Sequence, residues 1–130
     1  MNVPASLRYS EGHGWVAAEG EGPEHLARVG LTDYGQDLLG EVEFVELPEL
    51  GGRLAAGELM AEIEARKATS ELYAPLTGRV VAVNGLLADR PGAVNADPYG
   101  EGWLCVLAVD DASCIEELMD GAAYARFVGG

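Results

Sequence analysis

The chain has 130 residues, of which 48% are hydrophobic and 23% charged, so it is long enough to bury one hydrophobic core and short for two. We therefore expect a single domain over residues 1–130. Acidic residues outnumber basic ones by 22 to 8, and the formal net charge is -14. Because this charge repels phosphate backbones and anionic lipid surfaces, the composition excludes nucleic acid and membranes as partners.

The chain shows no sign of a targeting segment, a membrane span, a disulfide framework or a metal site. Residues 1–10 lack a basic stretch followed by an apolar one, and no apolar run approaches the roughly 18 residues of a membrane span. Cys105 lies in an apolar run and is expected to be buried, and it forms no C-x-x-C motif with Cys114. His13 and His25 have no partner at metal-ligand spacing. We expect a soluble intracellular protein without a metal.

Hydrophobic periodicity predicts a mainly β protein. The predicted strands cover residues 14–18, 26–31, 43–47, 59–65, 69–74, 79–83 and 103–109. Trp15 and Trp103 each begin an apolar run and are expected to pack in the core, and residues 97–100 have the composition of a β-turn. Seven short strands separated by Gly and Pro favour a sandwich or a barrel. The Gly- and Glu-rich segment 20–24 is predicted to be a solvated loop.

Two helical segments interrupt the strands. Asp33 with Gln36 three residues later resembles a capping box, which predicts a short helix that ends before Gly40 and plugs one end of the sheet. Ser113 with Glu116 has the same form and predicts a helical segment at about residues 113–127, interrupted by a glycine. The apolar face predicted for its first part comprises Ile115, Leu118 and Met119.

Two alternating patterns meet in a tight turn between residues 59 and 74. The residues predicted to face the core are Leu59, Ala61, Ile63, Ala65, Ser70, Leu72 and Ala74. The residues predicted to face solvent are Met60, Glu62, Glu64, Arg66, Thr69, Glu71 and Tyr73. The strands meet at residues 66–68, so Lys67, the only lysine of the chain, lies at the tip of a hairpin with its amine projecting into solvent.

An exposed lysine between acidic neighbours can take few chemical roles. A Schiff-base or general-base lysine needs a depressed pKa, which burial or nearby cations provide and which Glu64 and Glu71 oppose. An accessible amine without intrinsic activation suits a residue that another enzyme acylates. The alternative at this point is an ordinary solvated lysine in a turn.

The hairpin resembles the lipoylation hairpin of the glycine cleavage H-protein family. The motif that carries the resemblance is Glu64-x-x-Lys67-Ala68-Thr69-Ser70-x-x-Tyr73-x-Pro75-x-x-Gly78. Further segments similar to the family are Tyr9 with His13 and Trp15, residues 29–34, residues 39–48 and residues 94–104. The similarity extends over roughly residues 7–127, in the family's order and spacing.

This resemblance implies a barrel-sandwich hybrid of the lipoyl and biotinyl carrier type, with a short plug helix and a C-terminal helical segment. It also implies lipoic acid in amide linkage to Lys67, with Glu64, Ser70, Glu71 and Tyr73 as hairpin context. The chain would then be a monomeric carrier and not an enzyme. It would be cytoplasmic in a bacterium, or would lie in the mitochondrial matrix as the mature form of a eukaryotic protein.

The partners implied by the resemblance are four enzymes. A pyridoxal-phosphate glycine decarboxylase (P protein) loads the aminomethyl group of glycine onto the arm, and a tetrahydrofolate-dependent aminomethyltransferase (T protein) unloads it. Dihydrolipoamide dehydrogenase (L protein) reoxidises the dithiol, and a lipoate-attaching enzyme modifies the lysine. The acidic surface is expected to steer docking to cationic partner surfaces, with affinity that falls as salt rises.

The sequence departs from the family pattern around His13, where the run is Glu11-Gly12-His13-Gly14. The family carries polar or acidic residues at the positions of the two glycines, and these are thought to shelter the loaded arm. Here that role would fall to Glu11, to Glu71 or to a group that the sequence does not reveal, and His13 and Glu11 are the predicted arm contacts.

Two other functions are weighed beside the carrier. One is a relay protein that holds lipoate on Lys67 only to donate it to other proteins. The other is a thiol enzyme that uses Cys114 with a histidine. Biotin is disfavoured because Arg66 and Ala68 stand where methionines would flank a biotinylated lysine.

Overall fold

Short antiparallel strands dominate the structure, a computed structural model that describes residues 2–19 and 25–129. The strands are β1 (Arg8–Tyr9), β2 (Gly14–Glu19), β3 (His25–Leu31), β4 (Val42–Glu46), β5 (Arg53–Leu54), β6 (Leu59–Ala65), β7 (Thr69–Tyr73), β8 (Gly78–Val83) and β9 (Cys105–Val109). The helices are α1 (Asp33–Leu39), α2 (Leu86–Asp89), α3 (Ala93–Ala96), α4 (Ser113–Glu116) and α5 (Gly121–Phe127). The mainly β class predicted from periodicity is confirmed.

The strands form two sheets. One has the order β1-β2-β3-β9-β8-β5 and the other the order β4-β6-β7, with antiparallel pairing throughout the described ranges. All seven predicted strands are present to within two residues at each end. Periodicity missed β1 and β5 because two residues are too few to show it. The predicted loop at residues 20–24 lies outside the described residues.

The apolar core lies mainly between the two sheets. Its centre includes Val29, Ile63, Leu72, Val80 and Leu107, all buried. A second, aromatic cluster is formed by Tyr9, Trp15 and Tyr124.

Three predictions about buried side chains have different outcomes. Trp15 is buried as predicted, whereas Trp103 is only half-buried, with the Arg28 guanidinium 4.7 Å from its ring. The prediction that Leu59 faces the core and Met60 faces solvent is wrong. The pairing of β6 with β7 shifts register between Leu59 and Ala61, which leaves Leu59 48% exposed and Met60 buried.

Helix α1 is present and ends before Gly40 as predicted, between β3 of one sheet and β4 of the other, but its cap differs from the prediction. The N-cap is Thr32, whose side-chain oxygen accepts a hydrogen bond from the Gly35 N–H at 3.0 Å. Asp33 is therefore the first helical residue, and its carboxylate accepts from the Gln36 amide at 2.9 Å. Gly40 ends the helix with φ 80, a conformation that favours glycine.

The C-terminal helical segment consists of two separate helices. The predicted capping box at Ser113 is wrong: Ala112 is the N-cap of α4, and the Ser113 hydroxyl donates to the Asp111 carboxylate instead. Since α4 ends at Glu116, Leu118 and Met119 do not share a helical face with Ile115. Asp120 caps α5 by accepting a hydrogen bond from the Ala123 N–H. None of the helices in residues 2–19 and 25–129 is long and apolar enough to cross a bilayer.

Candidate functional site

Lys67 lies at the tip of the hairpin between β6 and β7, as predicted. The turn is closed by the Ala65 N–H, which donates to the Ala68 carbonyl at 3.0 Å. In the paired strands Glu64 lies opposite Thr69. The Lys67 side chain is exposed, so its amine is accessible to a modifying enzyme.

The hairpin tip is docked on the C-terminal end of α1 and does not project freely. The Lys67 N–H donates to the Leu39 carbonyl at 3.2 Å, and the Arg66 N–H donates to the Glu41 carbonyl at 3.0 Å. The Lys67 stem lies over Gly40, where an added Cβ would come within 3.2 Å of the lysine Cγ and Cε. The prediction that the Lys67 amine projects into solvent was therefore incomplete. The side chain is exposed, but its stem lies on the protein surface at Gly40.

Asn95 fixes the segment on which the tip docks. Its Nδ2 donates to the Gly40 carbonyl and to the Gln36 side-chain oxygen, both at 2.8 Å, and its Oδ1 accepts from the Val42 N–H at 2.8 Å. All three of these contacts reach more than 50 residues along the chain. Hydrophobic periodicity could not predict this role of Asn95, because its partners are distant in the chain. The only sequence signal was that residue 95 lies in a segment that resembles the family.

A groove of about 540 Å³ opens beside the lysine, between α1 and α3. Its lining residues are Gln36, Asp37, Gly40, Glu41, Lys67, Gly92, Asn95 and Ala96. The volume is within the range of ligand-binding clefts. The Lys67 side chain therefore lies beside a space large enough to admit a chain attached to its amine.

The four hairpin residues predicted as context do not share one surface. Glu64, Glu71 and Tyr73 are exposed on the outer face of the three-stranded sheet, whereas Ser70 is half-buried opposite Ile63. On the outer face Glu46, Glu62 and Glu71 lie directly opposite one another across β4, β6 and β7. Carboxylates directly opposite one another repel, and together they concentrate negative charge on this face.

His13 lies at the other end of α1. Its Nδ1 shares a hydrogen bond of 2.8 Å with the Tyr124 hydroxyl, which in turn shares one of 2.8 Å with Thr32 Oγ1, the α1 cap. The imidazole also packs on Tyr34, with ring centroids 5.0 Å apart. The backbone of His13 has a φ of 70°. Burial raises the pKa of Tyr124 to about 12, so the hydroxyl stays protonated in this network.

The structure does not bring His13 and Glu11 to the lysine. His13 is at the N-terminal end of α1 and Lys67 at its C-terminal end, and a helix of seven residues rises by about 10 Å. Glu11 is exposed in the turn before β2. Contact of either residue with an arm on Lys67 stays a prediction.

We expect the stability of the protein to fall as the pH drops below about 6.5, the unperturbed pKa of histidine. Burial lowers the pKa of His13 in the folded state, so the unfolded chain binds the proton more readily and acid favours unfolding. Urea unfolding between pH 7.5 and pH 6.0 measures the effect. The variant His13→Asn, which tolerates the positive φ, should lose much of this slope, and an unchanged slope would contradict the assignment.

The two cysteines do not support thiol chemistry. Burial raises the pKa of Cys105 to about 12, and Cys105 lies in the core as predicted. Burial, followed by the charges of Asp111 and Glu117, raises the pKa of Cys114, which is the opposite of what a reactive thiolate requires. Both cysteines are free, and no group of three potential metal ligands occurs within residues 2–19 and 25–129.

Two small antiparallel sheets with an accessible lysine at a hairpin tip define a carrier domain of the lipoyl and biotinyl type. Comparison with known proteins gives the particular family. The family model described as "Glycine cleavage H-protein" matches residues 7–129, so the chain belongs to the glycine cleavage H-protein family.

Relatives and a solved structure agree with this family. A glycine cleavage system H protein of Mycolicibacterium gilvum is 50% identical over 125 residues, covering 94% of this chain and 93% of the relative. One of Bacteroides thetaiotaomicron is 44% identical over 130 residues, covering 100% of both chains. A crystal structure of a glycine cleavage system H protein from Mycobacterium marinum superposes with a TM-score of 0.87 at 35% identity, covering 98% of this chain and 100% of that one.

These findings confirm the resemblance seen in the sequence and the carrier-like fold that it implied. Membership in the family also gives the chain the role of a lipoyl carrier in glycine cleavage, and not that of an enzyme. The thiol-enzyme alternative is thereby wrong.

Proposed function

We propose that this chain carries a lipoyl group on Lys67 and presents it to the enzymes of glycine cleavage. The observation that carries the proposal is the placement of the only lysine on an exposed hairpin tip whose backbone is fixed to α1. The residues fit the group, because the stem is accessible, lies on Gly40 and begins beside a groove.

When bound, the lipoyl group supplies a dithiolane that accepts the aminomethyl group of glycine and is afterwards regenerated by oxidation. The chain's own residues position it. Hydrogen bonds from Arg66 and Lys67 to the end of α1 hold the attachment point still, while amide formation removes the lysine charge. A flexible lipoyl arm on a fixed attachment point can reach several active sites in turn.

The proposed partners are the glycine decarboxylase, the aminomethyltransferase, dihydrolipoamide dehydrogenase and a lipoate-attaching enzyme. The row of Glu46, Glu62 and Glu71 close to the hairpin supports docking to cationic surfaces around their active-site openings. We further propose that the chain acts as one domain in the cytoplasm.

The proposal is tested by exchange of labelled bicarbonate into the carboxyl group of glycine, catalysed by the decarboxylase. We expect exchange to require the lipoylated protein, to be absent with the unmodified protein, and to weaken as salt is raised from low concentration to about 0.15 M and beyond. Lipoylated protein that supports no exchange but donates its lipoyl group to other proteins would overturn the proposal in favour of the relay function.

A further inference from the structure

Arg66 is the only basic residue besides Lys67 in the hairpin of residues 59–74. Its guanidinium lies 3.4 Å from the Glu41 carboxylate, and the two side chains are 69% and 67% exposed. An ion pair so open to water contributes little to stability. The tip is held by the backbone N–H groups of Arg66 and Lys67, so its docking does not require the Arg66 side chain.

The guanidinium of Arg66 is placed close to the stem of the lysine. The Lys67 stem lies over Gly40, and the Arg66 guanidinium faces Glu41, the next residue of the chain. Consecutive Cα atoms are about 3.8 Å apart, so the two side chains lie against neighbouring residues of one segment. A guanidinium has five N–H donors, and Arg66 uses Nη1 to contact Glu41. The other donors remain free to bind a second anion.

The acylation of Lys67 brings an anion to the tip when the acyl donor is an acyl-adenylate. The neutral amine attacks the acyl carbon, a C–N bond forms, and the C–O bond to the phosphate breaks. The electron pair leaves with adenosine monophosphate, the amine proton passes to solvent, and nothing is oxidised or reduced. The carboxylates of Asp37 and Glu41, which line the groove beside Lys67, repel the phosphate of such a donor.

We propose that Arg66 binds the phosphate of an acyl-adenylate donor and thereby directs acylation to Lys67. The inference rests on the proposed function. One oxygen atom separates the phosphorus from the acyl carbon, and attack brings the amine within about 3–3.5 Å of that carbon. The phosphate is therefore within reach of an arginine side chain on the adjacent residue.

The chemistry of the guanidinium suits this role. Its planar array of donors matches phosphate oxygens in a bidentate contact. Its charge offsets the repulsion by the neighbouring carboxylates and stabilises the phosphate as it gains negative charge on leaving. A thioester donor, whose sulfur is uncharged, gains nothing from Arg66. The contact is therefore specific for a donor with a phosphate next to the acyl group.

The test uses the unmodified full chain and synthetic lipoyl-adenylate without a ligase. Peptide masses give the ratio of acyl groups on Lys67 to those on the α-amino group of the same chain. We expect Arg66→Gln to lower this ratio by roughly 1.5- to 5-fold, the range of an exposed charge pair. The difference should vanish in about 1 M salt. The matched control Arg79→Gln, which removes an exposed arginine from β8, should leave the ratio unchanged.

A neutral donor separates binding of the phosphate from any disturbance of the tip. The N-hydroxysuccinimide ester of lipoic acid is uncharged, so we expect Arg66→Gln to leave its ratio unchanged. An equal loss with both donors would show that the variant alters the tip itself and would overturn the proposal. The absence of any loss with lipoyl-adenylate would also overturn it.

These outcomes distinguish the inference from the proposed function. If a lipoate ligase modifies Lys67 of the wild type but Arg66→Gln keeps the wild-type ratio with lipoyl-adenylate, Arg66 does not bind the donor and the proposed function stands. If the wild type gains no lipoyl group on Lys67, both fail.

Discussion

Replacing Asn95 by alanine is expected to lower the free energy of unfolding by about 2–4 kcal/mol, because three hydrogen bonds are lost at once. The Val42 N–H and the Gly40 carbonyl would both lose their side-chain partner at the segment on which the hairpin tip docks. We expect the melting temperature to fall by about 10 °C, measured by circular dichroism and urea unfolding.

A control variant that removes only one of these hydrogen bonds separates their effect from general effects on packing. Gln36→Ala removes one of the same hydrogen bonds and, with it, the contact between Gln36 and Asp33, so we expect a smaller loss of about 1 kcal/mol. Ordinary surface substitutions change the free energy of unfolding by less than about 0.5 kcal/mol. If Asn95→Ala changed it by no more than this, the hydrogen bonds of Asn95 would not be what holds the docking segment in place.

Replacing Lys67 by arginine is expected to abolish glycine-dependent bicarbonate exchange completely. Arginine keeps the positive charge and the long stem, but its guanidinium is not an amine that forms the lipoyl amide. Because the side chain is exposed, the variant should unfold within about 0.5 kcal/mol of wild type, so the loss is chemical and not structural.

The matched control exchanges two neighbours, as Arg66→Lys combined with Lys67→Arg, and so leaves composition and net charge unchanged. The Arg66 guanidinium faces Glu41 at 3.4 Å, whereas the stem of residue 67 lies over Gly40, so the swapped amine starts from a different place. We expect the swapped protein to support no exchange. Exchange at the wild-type level would show that the position of the amine on the tip is not specified by this docking.

The sequence predicted those parts of the site that depend on local patterns. Alternation in residues 59–74 placed Lys67 at a hairpin tip, and the exposed outer residues of β7 follow that alternation. It failed at Met60, because a bulge shifts the phase of the strand and the bulge depends on pairing with β7. The cap of α1 was misplaced because Thr32, next to Asp33, accepts the capping hydrogen bond instead. The cap of α4 was misplaced because the Ser113 hydroxyl bonds to Asp111, and α4 begins after Ala112 without a side-chain cap.

The sequence could not predict how the tip is held. The contacts of Lys67 with Leu39 and Gly40, and those of Asn95 with Gly40 and Val42, join segments far apart in the chain. Hydrophobic periodicity reports local structure and cannot predict contacts between segments so far apart in the chain. The short helix α3, which presents Asn95, was also missed, since it has four residues and no side-chain cap.

The measurement that tests the central claim most directly is the intact mass of the protein after incubation with lipoate, ATP and a lipoate ligase. Lys67 and the chain terminus are the only primary amines, so the result is unambiguous once the modified peptide is located. The account predicts that wild-type protein gains one lipoyl group on the peptide containing Lys67 and that Lys67→Arg gains none. A wild-type protein that gains no lipoyl mass, or a variant that gains it equally, would contradict the claim that Lys67 carries the arm.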